Sequence, residues 1–78
     1  MKVEIITPDQ KLFDGEAKEV IMPGIDGSLG VLDHHAPLIT ALKEGEVKVK
    51  LRDGGVESFD VQGGTAEVIN NKLLILAE

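Results

Sequence analysis

From Glu46 to Arg52 the chain alternates charged and apolar residues without a break: Glu46, Val47, Lys48, Val49, Lys50, Leu51, Arg52. A period of two puts Val47, Val49 and Leu51 on one face and the charges on the other, which is the pattern of a strand lying half on a core and half in water. Asp53-Gly54-Gly55 then supplies residues that accept positive φ. Val56 to Val61 resumes extended character with Phe59 and Val61 on one face, so the whole segment reads as a β-hairpin. Asn70-Asn71 repeats the device between 66–69 and 73–76, and the latter stretch, apolar on both faces, belongs inside a sheet rather than at its edge.

Val3 to Thr7 and Lys18 to Met22 are also strand-like, and Pro8 and Pro23 read as their boundaries because proline cannot donate to a ladder. Turn signals recur every ten or so residues, the spacing of an all-β sandwich or barrel. No repeat, linker or low-complexity tract interrupts residues 1–78, which form a single domain. A domain of this size buries only about 60% of the surface its unfolded chain exposes. The chain has no Cys to staple it, so core packing, strand pairing and a partner must support it. Met22, Leu38, Ile39 and Leu42 are expected in the core.

Fourteen acidic against eight basic residues give a net charge of −6, which repels phosphate backbones and anionic lipid. The two aromatics are both Phe, so stacking platforms for bases are lacking as well, and nucleic acid is excluded as a partner. No apolar run approaches the ~20 residues that span a bilayer, and no signal-peptide pattern opens the chain. The expectation is a soluble cytoplasmic protein without direct membrane insertion.

Asp33-His34-His35 is the one cluster with metal-binding or acid-base potential, but adjacent side chains on an extended segment point to opposite faces. Packing and hydrogen bonding account better for these residues. Ser28 and Ser58 have no base and orienting acid near them in sequence. The glycines of 24–30 and Gly63-Gly64 lack the Walker spacing, and turns or close backbone approach explain them. No catalytic residue, metal or cofactor is expected, and the charged faces of 46–52 and of Lys18-Glu19 read as solvated surface.

Three groups of residues fall in one order along the chain: Thr7-Pro8 with Leu12-Phe13-Asp14-Gly15; Gly27-Ser28-Leu29-Gly30-Val31-Leu32 running on through His35-Ala36-Pro37-Leu38-Ile39-Thr40-Ala41-Leu42; and Gly63-Gly64, Glu67-Val68, Asn70-Asn71 and Leu76-Ala77-Glu78. Jointly they resemble the epsilon subunit of rotary ATP synthases. The resemblance implies a flattened β-sandwich of two roughly five-stranded sheets. It also decides 36–45, where Pro37 and Gly45 suit a short helix but β-branched Ile39 and Thr40 suit the strand that the family has there.

What the resemblance implies about function is a non-catalytic rotor subunit of a proton-translocating synthase. It packs on the gamma subunit and rests on the polar loops of the c-ring, at the cytoplasmic face of the inner (plasma) membrane. Carried over by position, Thr7, Thr40 and Leu42 face gamma. Gly27, Ser28 and Leu29, read as a Gly27-to-Gly30 turn, face the c-ring together with His35. Asp33-His34 stands where the family commonly has Pro-Gly, and Thr65 replaces a bulky apolar residue. Many relatives continue past Leu76-Ala77-Glu78 into a helical hairpin that inhibits ATP hydrolysis, a role not assigned to these 78 residues. The rival reading is a biotinyl or lipoyl carrier domain, which presents its modified Lys at a hairpin tip; here Lys48 and Lys50 lie within the alternating stretch.

Overall fold

The computed structural model describes residues 1–78 and contains nine strands and no helix. In chain order these are β1 (Lys2–Ile6), β2 (Lys11–Glu16), β3 (Glu19–Gly24), β4 (Gly27–Leu32), β5 (Leu38–Leu42), β6 (Gly45–Lys50), β7 (Val56–Val61), β8 (Gly64–Ile69) and β9 (Lys72–Ala77). Neighbours run β2-β1-β9-β8-β5 and then β3-β6-β7, with β4 on the other side of β3. All pairs are antiparallel except β1 with β9.

The two halves of this path face each other across one core. Val3, Ile5, Ala66, Val68, Leu73 and Ile75 from the five-stranded layer meet Val20, Met22, Val31, Val47, Val49 and Val61 from the four-stranded layer, all in one cluster. Each contributes from alternate positions, as the burial pattern of β3, alternately half-buried and buried, makes plain. The expected all-β sandwich is therefore what the chain forms. On the side where β2 and β7 leave free edges, Phe13 and Phe59 meet edge to face with ring centroids 6.1 Å apart.

The layers are joined through a single residue pair, Gly24 with Leu42. Along its first half β3 pairs with β6, and at its last residue with β5. Pro23 occupies the changeover. It does not bound the strand, as the sequence suggested, but lies within it opposite Ser28. A residue without an N–H is tolerated where one neighbour has ended and the next has barely begun, and its carbonyl accepts from Lys43 N at 2.9 Å. The predicted 27–30 turn is likewise corrected: the turn is Ile25-Asp26, and Gly27 to Leu32 form β4.

Residues 38–42 are strand, not helix. Asn70 and Asn71 both take positive φ (50° and 59°) in the two-residue β8–β9 turn. β9 is interior to its layer, between β1 and β8, yet only one of its faces is covered. Leu51 lies just past β6 and is half-buried, and Ile39, expected in the core, is 74% exposed. The reason is register: β5 turns Leu38, Thr40 and Leu42 inward, so Ile39 must point out.

Gly64 is the tightest backbone position. It has φ +136°, and a Cβ there would lie 2.1 Å from the Leu76 carbonyl oxygen across the β8–β9 ladder. Gly64→Ala is expected to cost at least about 2 kcal/mol, from the unfavourable φ together with the clash. In a domain of this size that lowers Tm by roughly 8 °C or more. A thermal melt within 2 °C of the parent, at about the same scale, would mean that the ladder relaxes freely around this point.

Candidate functional site

The outer face of the five-stranded layer is divided by its cross-strand rows. One row reads Ile39, Glu67, Leu74, Glu4, Asp14, and the next Ala41, Thr65, Leu76, Ile6, Lys11. On the β2–β1 side these rows carry an ion ladder. Lys72 and Lys11 reach Glu4 at 3.1 and 3.5 Å, and Lys2 and Lys11 reach Asp14 at 2.8 and 3.1 Å. Hydrogen bonds from Lys72 to Glu4 and from Lys2 to Asp14 are the main cause holding each carboxyl below its usual range.

On the β9–β8–β5 side the same rows are apolar apart from Glu67 and Thr65. Ile39, Leu76 (49% exposed) and Ile69 (50% exposed) surround half-buried Leu74, and Glu67 stands among them without an ion-pair partner within 4 Å. Shallow depressions of about 340 and 180 Å³ flank Ile39, one toward Pro37 and Ile69, the other toward Leu74 and Leu76. An exposed apolar area on so small a domain is a candidate interaction surface.

The residues singled out from the sequence do not form one site. Thr7 follows β1 beside this apolar area, but its hydroxyl is engaged locally: it accepts from Asp9 N (3.3 Å) and Gln10 N (3.1 Å) and donates to the Gln10 carbonyl oxygen (3.1 Å). Thr40 is half-buried on the inward side of β5. Leu42 is 5% exposed within the core, which corrects its placement on a partner-facing surface. Thr40 instead shares a cleft of about 230 Å³ with Gly24, Asp26, Gly27, Ser28, Leu29 and Leu38, so it neighbours residues assigned above to a different partner.

His35 lies at the far end of β4 from Ser28. The four residue steps of strand from Ser28 to Leu32 place their rows roughly 13 Å apart. There the β4–β5 turn is fixed by ions and amides. Asp33 receives both guanidinium nitrogens of Arg52 at 3.0 and 2.9 Å and also the N-terminal ammonium, while Asn71 Oδ1 accepts from His34 N at 2.7 Å. His34 takes φ 63°. The imidazole of His35 meets only the neighbouring Ala36 carbonyl, at 2.7 Å.

The comparisons with known proteins agree on one assignment. The family model for the β-sandwich domain of the ATP synthase delta/epsilon chain matches residues 1–78. The ATP synthase epsilon chain of Chlorobium limicola is 44% identical over 77 residues, which cover 99% of this chain and 88% of that protein. This chain belongs to the ATP synthase epsilon family. The chloroplastic epsilon chain of Cyanidioschyzon merolae is 50% identical over 76 residues, and there the match takes in 57% of the relative, so the 78 residues span little more than half of some epsilon chains. The fold recurs in a chain of the Euglena gracilis mitochondrial ATP synthase (OSCP/F1/c-ring), with TM-score 0.90 at 21% identity over 96% of this chain and 48% of that one. It recurs also in the central stalk/c-ring structure from Tetrahymena thermophila, at TM-score 0.79.

Within this epsilon chain, sequence reasoning missed Ile39, Leu74, Leu76 and Ile69 as surface residues. The available signal was β9 itself, apolar at positions of both parities although only one face of a sandwich strand meets the core.

Arg52, and next the N-terminal ammonium, hold the Asp33 carboxyl down at about 2, below its ordinary value. A carboxyl lowered in the folded state stabilises the fold above the unfolded-state value near 4 and ceases to do so as pH falls through about 2. Asp33→Asn is therefore expected to lower Tm at pH 7 and to flatten the fall of Tm between about pH 4 and pH 2. Parallel Tm profiles for parent and variant across that window would remove Asp33 from the acid response.

Proposed function

We propose that this chain acts in the central stalk of a proton-translocating ATP synthase, joining the gamma subunit to the c-ring so that rotation is transmitted between them. It is non-catalytic and takes no cofactor in this reading, and it works at the cytoplasmic face of the inner (plasma) membrane as part of a peripheral assembly. Family membership supports the setting. The observation that carries the reading is the bare apolar half of the five-stranded layer, beside an ion ladder that closes the other half.

Gamma binding is assigned to that half, with Ile39 at its centre, Leu74 and Leu76 beside it and Thr7 at its margin; Thr40, which the resemblance also assigns to gamma, lies on the opposite face of β5 in the cleft beside Ser28. The ring contact is assigned to the β3–β4 hairpin end, where Gly27, Ser28 and Leu29 lie. His35, at the other end of β4, is not part of it. The carrier reading is not favoured, because Lys48 and Lys50 lie within β6 and Arg52-Asp53-Gly54 form the turn that follows.

Ile39→Asp and Leu76→Asp are each expected to weaken capture by purified gamma on the order of tenfold or more, since central apolar contacts dominate such interfaces. Both side chains are substantially exposed already, so the free chain should stay folded, with a modest drop in melting temperature for Ile39→Asp because it sets a second carboxylate opposite Glu67. Wild-type capture by both variants would move the interface off this face.

Ser28→Trp is expected to leave gamma capture intact and to impair proton-coupled ATP synthesis in reconstituted vesicles. Full coupling by that variant would take the hairpin end out of the ring contact.

A further inference from the structure

β4 pairs with β3 alone. Which of its backbone groups are free follows from Pro23. The Pro23 carbonyl turns away from β4 to accept from Lys43 N, so Pro23 and Ser28 are opposed without exchanging hydrogen bonds. Counting by twos, Gly30 and Leu32 also direct their N–H and C=O groups away from β3. The Leu32 carbonyl is taken by His35 N at 3.2 Å, which leaves the N–H and C=O of Ser28 and Gly30 and the N–H of Leu32 along an open edge.

The edges of the outermost strands β2 and β7 are protected and that of β4 is not; β5 is also open from Leu38 to Ala41, since β3 pairs with it only at Leu42. β2 carries Lys11, Asp14 and Glu16 opposite a register shift between Ile5 and Ile6, and β7 carries exposed Glu57 and Asp60. β4 reads Gly-Ser-Leu-Gly-Val-Leu, with no charge and no proline. Beside its edge lies the cleft of about 230 Å³ in which Leu29, Leu38 and Thr40 form the floor and Asp26 the rim. Asp26 has no ion-pair partner within 4 Å, unlike Asp33 and Glu19 at the other end of the strand, which pair with Arg52 and Lys50.

We propose that the β4 edge is a docking site for an extended segment of a partner subunit, added antiparallel as a further strand of the four-stranded layer. Main-chain bonds to Ser28 and Gly30 hold it. One inward side chain of the segment enters the cleft, and a Lys or Arg at the adjoining position meets Asp26. A segment of neutral or basic character is specified by this lone carboxylate and by the chain's net charge of −6, which also opposes pairing with a second copy. The inference rests on the reading that the hairpin end of β4 meets another subunit, and it adds that the contact is made through backbone rather than through the Ser28 side chain.

The probe is the capped peptide Lys-Val-Thr-Val-Thr-Val-Lys, added at millimolar concentration to the isotope-labelled 78-residue chain. Amide hydrogen exchange at Ser28, Gly30 and Leu32 is expected to slow on the order of tenfold or more, since a bonded edge amide exchanges only on opening. The same peptide with Glu for Lys should bind on the order of tenfold more weakly. Gly30→Pro should abolish the protection without unfolding the chain. The N–H it removes does not bond β3, and a Cβ there meets nothing closer than Glu19 Oε2 at 3.5 Å.

No protection at β4, equal protection at the β2 and β7 edges, or concentration-dependent pairing of β4 edges without peptide would each overturn the proposal. Loss of coupling in Ser28→Trp together with an unprotected edge would leave the stalk reading standing and this inference refuted.

Discussion

The whole architecture depends on one strand serving two layers. β3 contributes Val20 and Met22 to the core, lies in register with β4 along its full length, with β6 along its first half, and with β5 at Gly24 only. Because that last contact is a single pair, the layers are held in facing position less by hydrogen bonds than by the shared apolar cluster between them. Gly24 makes the junction possible, since a Cβ there would come within 2.7 Å of the Gly27 carbonyl oxygen in the hairpin that turns the chain back. Without the cluster, this pair and the chain crossovers at 17–18, 33–37, 43–44 and 62–63 would be left to join the two layers.

Charge decides which surfaces of this scaffold stay available. Lys2, Lys11 and Lys72 are consumed by Glu4 and Asp14 over β2, β1 and β9, while Lys50 and Arg52 are consumed by Glu19, Glu16 and Asp33. Exposed pairs of this kind add little stability individually. Their consequence is spatial. They close one half of the outer face to apolar contact and leave the half around Ile39 bare, and they neutralise one end of β4 while leaving Asp26 unpaired at the other.

Period-two alternation made β6 and β7 legible, and the Asp-Gly-Gly and Asn-Asn turns placed the β6–β7 and β8–β9 hairpins, because each of these signals is local. Pro23 and the glycines of 27–30 were misread for a shared reason. Both act as breakers in isolation, and both are accommodated here by the edge and changeover positions that only the sheet order reveals. The family resemblance carried the assembly, but it could not separate Leu42, which fills the core, from Ile39, three residues earlier on the opposite face of the same strand. A shift of one position in β5 exchanges those faces, and no residue within 38–42 specifies which is inward; pairing with β8 does, by bringing Thr40 beside Ala66 and Leu38 beside Val68.

A small sandwich that leaves Ile39, Ile69 and Leu76 about half or more in water accepts a risk of self-association. The layout limits that risk. Glu67 stands within the apolar half, so two copies meeting face to face would have to bury or oppose like charges, whereas a partner offering a cation would not. The open edge of β4 follows the same logic, with Asp26 as its single charge. Each uncovered surface thus carries one unpaired carboxylate, which admits a complementary subunit and disfavours another copy of this acidic chain.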